Sequence, residues 1–207
     1  MPFTQQGRVV HLCLFTDSET SSLVPEQILH PVELQMYEAM STGRKSDFLK
    51  GRYAIKSVFQ DIHFNQMTHI HVAVTGLGKP YVSSNPELFC SISHSNGYVA
   101  AAISKQAAIG VDIERIKSRH PSLLQNISDA EEIGCLSSAY GPDIITTVLW
   151  SIKEAAAKAD EHIYPRKDYK ILLSDRVLVQ RGYFSWDVTV KIFSDYVFVV
   201  ALAITRK

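Results

Sequence analysis

Strand-like and helix-like stretches succeed one another twice along this chain, and that double round limits its fold more than any other feature. In the first round, residues 9–15 read as a strand and lead into a Ser/Thr-rich turn. Residues 25–40 then carry Ile28, Leu29, Val32 and Met36 near helical spacing. Asp47 stands where an N-cap would, ahead of a helix over residues 48–60. A strand-like run at 69–74 stops at Gly76-Leu77-Gly78. Three closely spaced strands are expected at 89–94, 98–104 and 109–113, with turns at Ser95-Asn96-Gly97 and Lys105-Gln106. The second round opens with a helix over 129–139, and Gly141-Pro142-Asp143 starts a stronger one, because Pro is tolerated in a first turn and the Ala-rich stretch 155–159 has high helix propensity. From Lys170 onward apolar and polar residues alternate, through 177–179 and 184–193, to the closing run 196–204. The pattern predicts an α+β fold in two units, residues 1–112 and 113–207.

Composition excludes several classes of partner. Hydrophobic residues make up 46% and charged residues 20%, which is ordinary for a globular chain and unlike a disordered or collagen-like one. Lys+Arg 21 balance Asp+Glu 21, so no global charge draws the chain to nucleic acid or to an anionic membrane; a charged ligand must be met by a local patch. Cys13, Cys90 and Cys135 are too few and too scattered for a disulfide framework or a CxxC zinc site, and read as buried reduced thiols. The apolar start is too short and interrupted for a signal peptide, and the apolar stretch 197–204 reaches well under the roughly 20 residues of a membrane helix. A cytoplasmic protein is expected.

Three segments carry residues suited to chemistry. In Ile109-Gly110-Val111-Asp112-Ile113-Glu114, strand alternation points Asp112 and Glu114 the same way and Val111 and Ile113 the other. Two adjacent carboxylates repel unless a cation joins them, so the pair suits a magnesium ion; a polar edge strand with both acids in water is the alternative. In Trp150-Ser151-Ile152-Lys153-Glu154-Ala155-Ala156-Ala157-Lys158, helical spacing puts Trp150, Glu154 and Lys158 on one face, with Lys153 turned away. That face supplies a third carboxylate for a divalent site, or a plain Glu–Lys surface pair beside a core Trp. In Ser91-Ile92-Ser93-His94-Ser95-Asn96, a His among hydroxyls at a strand end suits a phosphate oxygen or a structural hydrogen bond. Gly76-Leu77-Gly78-Lys79-Pro80 lacks the spacing of a P-loop and is a turn carrying a Lys. The stretch with Arg44, Lys45, Lys50, Arg52 and Lys56 is a solvated helix face or a seat for an anion.

Taken in order, Phe48-Leu49-Lys50-Gly51-Arg52-Tyr53-Ala54, Gly78-Lys79-Pro80, Ser91-Ile92-Ser93-His94-Ser95, Gly110-Val111-Asp112-Ile113-Glu114 and the segment from Trp150 to Lys158 resemble the 4′-phosphopantetheinyl transferases, specifically their Sfp-type branch. The resemblance implies a pseudo-dimer of two similar α+β halves that binds coenzyme A and magnesium in the cleft between them. By motif, it implies that Asp112, Glu114 and Glu154 hold the metal and that Lys158 sits beside the phosphate bridge. It further implies that His94 with Ser93 contacts the nucleotide phosphates, that Lys79 lies near the adenine and ribose phosphate, and that Arg52 with Arg44 holds the 3′-phosphate. Glu154 or a metal-bound water is the implied base for a Ser hydroxyl on an apo acyl or peptidyl carrier protein, and the enzyme is expected to act as a monomer. Asn126-Ile127-Ser128-Asp129-Ala130-Glu131-Glu132 departs from the family's frequent Phe at Ile127, and Asn96 stands where Gly is frequent; neither change removes an implied ligand. Basic and apolar residues around Arg115, Lys117, Arg119 and 123–133 are a candidate carrier-facing patch. Another magnesium-dependent phosphate enzyme and a non-catalytic carrier-binding module are the competing readings.

Overall fold

The chain, described in a computed structural model over residues 2–5, 7–160 and 162–204, divides after Gln106 into two units. The first contains strands β1 (Pro2–Gln5) and β2 (Arg8–Thr16), short helices α1 (Pro25–Ile28) and α2 (Pro31–Glu38), and the long helix α3 (Thr42–Ile62). A hairpin of β3 (Val72–Val74) and β4 (Pro80–Val82) follows, then β5 (Phe89–Ser95) and β6 (Tyr98–Ser104). The main sheet runs β1-β2-β6-β5, antiparallel throughout. Its core is a stripe of α3, Ala54, Ile55, Val58 and Phe59 at helical spacing, set against Val99, Ala101 and Ile103 of β6. Asn96 and Gly97 make the two-residue turn between β5 and β6, and Gly97 takes the left-handed φ of 101° that its lack of a Cβ permits.

The second unit begins with β7 (Ile109–Arg115) and continues through helices α4 (Pro121–Ile127), α5 (Ala130–Ser137) and α6 (Pro142–Ala159). Strands β8 (Lys170–Leu173), β9 (Val177–Arg181), β10 (Phe184–Phe193) and β11 (Tyr196–Ala203) complete it. The sheet order is β7-β11-β10-β9-β8, again antiparallel. The closing apolar run is a buried strand: β11 is buried from Tyr196 to Leu202. Val197, Val199 and Ala201 share a core with Leu149, Ile152, Ala155 and Ala156 of α6. No helix among the described residues is long and apolar enough to cross a membrane.

Four expectations shift. The expected boundary at 112/113 moves to Gln106/Ala107, because β7 pairs along its length with β11 and so belongs to the second sheet. Residues 25–40 form two helices, since Leu29 and His30 are extended and Pro31 bars its predecessor from helical geometry. The long helix starts at Thr42 after Ser41, which places Asp47 inside it instead of at its cap. Residues 67–69 form a single 3-10 turn, so the strand expected at 69–74 begins at Val72.

Both units repeat one buried device. Glu33, the third residue of α2, takes part in a capping box with His30, accepts from the Val72 amide at 2.9 Å and pairs with the ammonium of Lys56 from α3. Glu132, the third residue of α5, takes part in a capping box with Asp129, accepts from the Ile171 amide at 2.7 Å and pairs with Lys153 of α6 at 2.7 Å. Each ammonium also donates to the carbonyl that closes a preceding helix, Ile28 for Lys56 and Ile127 for Lys153. All four side chains are buried. Burial pushes both ammonium pKa values down, while the facing carboxylates oppose that shift. The halves are thus similar in internal wiring as well as in class.

Candidate active site

The acids of the second unit sit on a seam between β7 and α6. Gly110 makes that seam possible: a Cβ there would lie 1.9 Å from the Ala155 carbonyl oxygen and 2.8 Å from the Ala159 nitrogen. The bare backbone lets the helix settle onto the strand, and the residues on the Gly110 side, Asp112 and Glu114, share its face of the sheet. Lys158 donates to Asp112 Oδ1 at 2.8 Å and to the Val111 carbonyl at 3.0 Å. Two turns earlier on the same helix face, Trp150 Nε1 donates to Glu114 Oε1 at 3.3 Å. Glu154 lies midway between Trp150 and Lys158 on that face, one turn from each.

Each acid faces a cation. Asp112 meets Lys158, Glu114 Oε2 accepts from Arg119 Nη2 at 2.7 Å, and Glu154 is gripped by Arg166 through Nε at 2.6 Å and Nη2 at 3.0 Å. Asp112 is only 3% exposed, which rules out a polar edge strand with both acids in water. The surface Glu–Lys pair is likewise replaced, since Lys158 serves Asp112 and Glu154 serves Arg166. The structure brings the three acids to one seam without gathering them: among the described residues, no three acidic, imidazole or thiol side chains form a metal-holding group. In kind, the donor set fits a hard divalent ion, being three carboxylates and nothing softer.

A pinned loop carries Arg166. The Arg181 guanidinium lies 3.7 Å from the Tyr164 ring and grips Asp160, at the end of α6, with Nε at 2.7 Å and Nη2 at 3.2 Å. Tyr169 donates its hydroxyl to Asp160 Oδ2 at 2.9 Å. Burial raises the Asp160 carboxyl pKa, but hydrogen bonds from Arg181, Tyr169 and the His162 amide outweigh it and hold the group below the ordinary carboxylate value.

In the first unit, Arg44, Asp47, Phe48, Arg52, Gly78 and His94 line a cavity of about 350 Å³. Arg52 is 8% exposed, 3.1 Å from Glu33 through Nε and 4.4 Å from the centre of the Phe48 ring, so it serves the fold as well as the cavity wall. The His94 ring is half exposed, with Nδ1 3.9 Å from Asp47 Oδ2. Arg44, Arg52 and His94 are therefore brought together at one cavity. Ser93 is not: it alternates to the other face of β5 and is buried. Lys79 stays in the turn between β3 and β4, where its amide and carbonyl bond Thr75.

A sequence model of the "ACPS: 4'-phosphopantetheinyl transferase superfamily" matches residues 108–177, the stretch that holds Asp112, Glu114, Glu154, Lys158 and Arg166. The holo-(acyl-carrier-protein) synthase of Lactococcus lactis subsp. cremoris is 40% identical over 81 residues, 34% of this chain and 68% of that protein. The chain belongs to the 4′-phosphopantetheinyl transferase superfamily. Enterobactin synthase component D of Salmonella typhi is 30% identical over 163 residues, 77% of this chain and 64% of its own. The 4′-phosphopantetheinyl transferase psf-1 of Bacillus pumilus is 31% identical over 112 residues, 53% of this chain and 48% of its own. The chain thus spans about half to two thirds of the length of these last two relatives.

Within this superfamily chain the sequence reading missed Arg166, and it took Arg119 for part of a carrier-facing patch. No spacing rule links Arg166 to Glu154: twelve residues and the end of a helix separate them. Arg119 likewise follows β7 in irregular chain. Only folding reveals either as the partner of an acid.

Proposed function

We propose that this chain transfers the 4′-phosphopantetheine arm of coenzyme A to a Ser hydroxyl of an apo acyl or peptidyl carrier protein, with magnesium, releasing 3′,5′-ADP. The observation that carries this reading is the three-acid seam with Lys158, lying inside the family-matched stretch. The Ser oxygen attacks the phosphorus next to the pantetheine arm, the bond from that phosphorus to the bridging oxygen breaks, and the electron pair leaves with the nucleotide. Asp112, Glu114 and Glu154 are the residues to hold magnesium, which when bound offsets the charge of the diphosphate. Lys158, fixed by Asp112 and the Val111 carbonyl, directs a positive charge to where negative charge builds on the leaving group. A Ser hydroxyl is a weak nucleophile until its proton is taken, and the partly exposed Glu154 carboxylate or a water is the base for it.

The cavity of the first unit suits a phosphate group of the coenzyme: Arg44 and Arg52 supply charge, His94 a ring nitrogen, and Lys79 adds charge from the adjoining turn. The free thiols Cys13, Cys90 and Cys135 suit a reducing cytoplasmic setting, and the chain, holding both halves itself, acts as a monomer.

Incubation of the protein with coenzyme A, magnesium and an apo carrier protein, read by the mass of the carrier, tests the reading. Labelling is expected with the wild type, with losses of about a hundred-fold or more for Glu154→Gln and Lys158→Met. Release of 3′,5′-ADP without a carrier would instead establish a hydrolase. Carrier binding with no labelling, unchanged by Glu154→Gln, would establish a binding module.

A further inference from the structure

The seam is charge-balanced as it stands: Asp112, Glu114 and Glu154 against Lys158, Arg119 and Arg166. A divalent ion approaching it meets carboxylates whose field is already cancelled. The Arg166 grip is the most built of the three. It is two-pronged on Glu154, its Nη1 donates to the Tyr164 carbonyl at 3.0 Å, and Tyr164 is itself stacked beneath Arg181. Such a fork holds a carboxylate in one plane and occupies both oxygens, unlike a loose surface pair.

We infer that Arg166, with Arg119, is an internal counter-ion that competes with the divalent metal for Glu154 and Glu114 and keeps the seam closed until a phosphate-bearing substrate draws the arginines away. The inference rests on the metal reading above. A guanidinium fork fits phosphate as well as it fits carboxylate, so a diphosphate offers each arginine a second partner. By linkage, metal and substrate then strengthen each other's binding, because each removes part of the cost of opening the seam. The same competition accounts for three acids that share a seam but do not converge.

Manganese binding to the intact protein, followed by electron paramagnetic resonance with and without coenzyme A, tests it. Without coenzyme A, Arg166→Gln is expected to bind manganese roughly ten-fold more tightly than the wild type, the ratio given by about 1.4 kcal/mol of released pairing. Arg119→Gln should move the same way, and coenzyme A should improve metal affinity less in either variant than in the wild type. Arg166→Lys, which keeps the charge but not the fork, should fall between; should Arg166→Gln fail to fold, Arg166→Lys and Arg119→Gln decide. Unchanged or weaker manganese binding in the variants, with binding lost in Glu154→Gln, overturns the inference alone. Binding that Glu154→Gln leaves untouched overturns the metal reading beneath it.

Discussion

Cys13, Cys90 and Cys135 occupy three different environments, and burial decides their chemistry. The Cys90 thiol is buried and the Cys13 thiol donates to the Ala54 carbonyl at 3.3 Å. Burial pushes both pKa values up to about 12. At pH 8 the thiolate of either is present at about one part in ten thousand, whereas Cys135 is exposed on α5. A disulfide reagent at pH 8 is therefore expected to modify one thiol promptly, Cys135, and the other two only on unfolding; three equal rates would contradict this. The sequence reading of three buried thiols holds for Cys90 and fails for Cys135, because thiol burial depends on which face of α5 meets the core. Asp112 teaches the same lesson in reverse: alternation along the strand says which way it points, but only packing says that it is buried beside Lys158.

Among the elements, α6 and β7 depend on each other through one glycine. Gly110→Ala places a methyl group against the Ala155 carbonyl, where helix backbone cannot yield as a flexible side chain would. A loss of about 3 kcal/mol is expected, read as a fall in the urea midpoint, since overpacking of rigid neighbours costs about that much. An unchanged midpoint would mean that the helix shifts without cost. Carrier labelling by this variant should fall as well, because the strand bears Asp112 and Glu114 while the helix bears Glu154 and Lys158. Helix α6 was legible in sequence at its start, through Pro142 in the first turn, and along its Ala-rich last turns. The segment at 25–40 was harder, because apolar spacing favoured one helix while Pro31 broke it in two.

At the scale of the whole molecule, the buried Lys–Glu device occurs once per unit, and each copy ties a capped short helix, a long helix and a backbone amide at the edge of a strand. Replacing one member leaves the other charged, desolvated and without its counter-charge. Glu33→Gln and Glu132→Gln are each expected to lose about 3 kcal/mol or more in chemical denaturation, and losses under about 1 kcal/mol in both would show that the device is dispensable. The chain's own residues settled the local facts: the two rounds of strand and helix, Asp112 and Glu114 on one face of a strand, and Glu154 and Lys158 on one face of a helix. These follow from side-chain periodicity and turn chemistry, which act over a few residues. Tertiary structure alone decided that β7 joins the second sheet, that Ser93 turns from His94, and that Arg119 and Arg166 close on the acids. Those outcomes depend on which distant surfaces pack together, and pairings of that kind leave no period in a sequence.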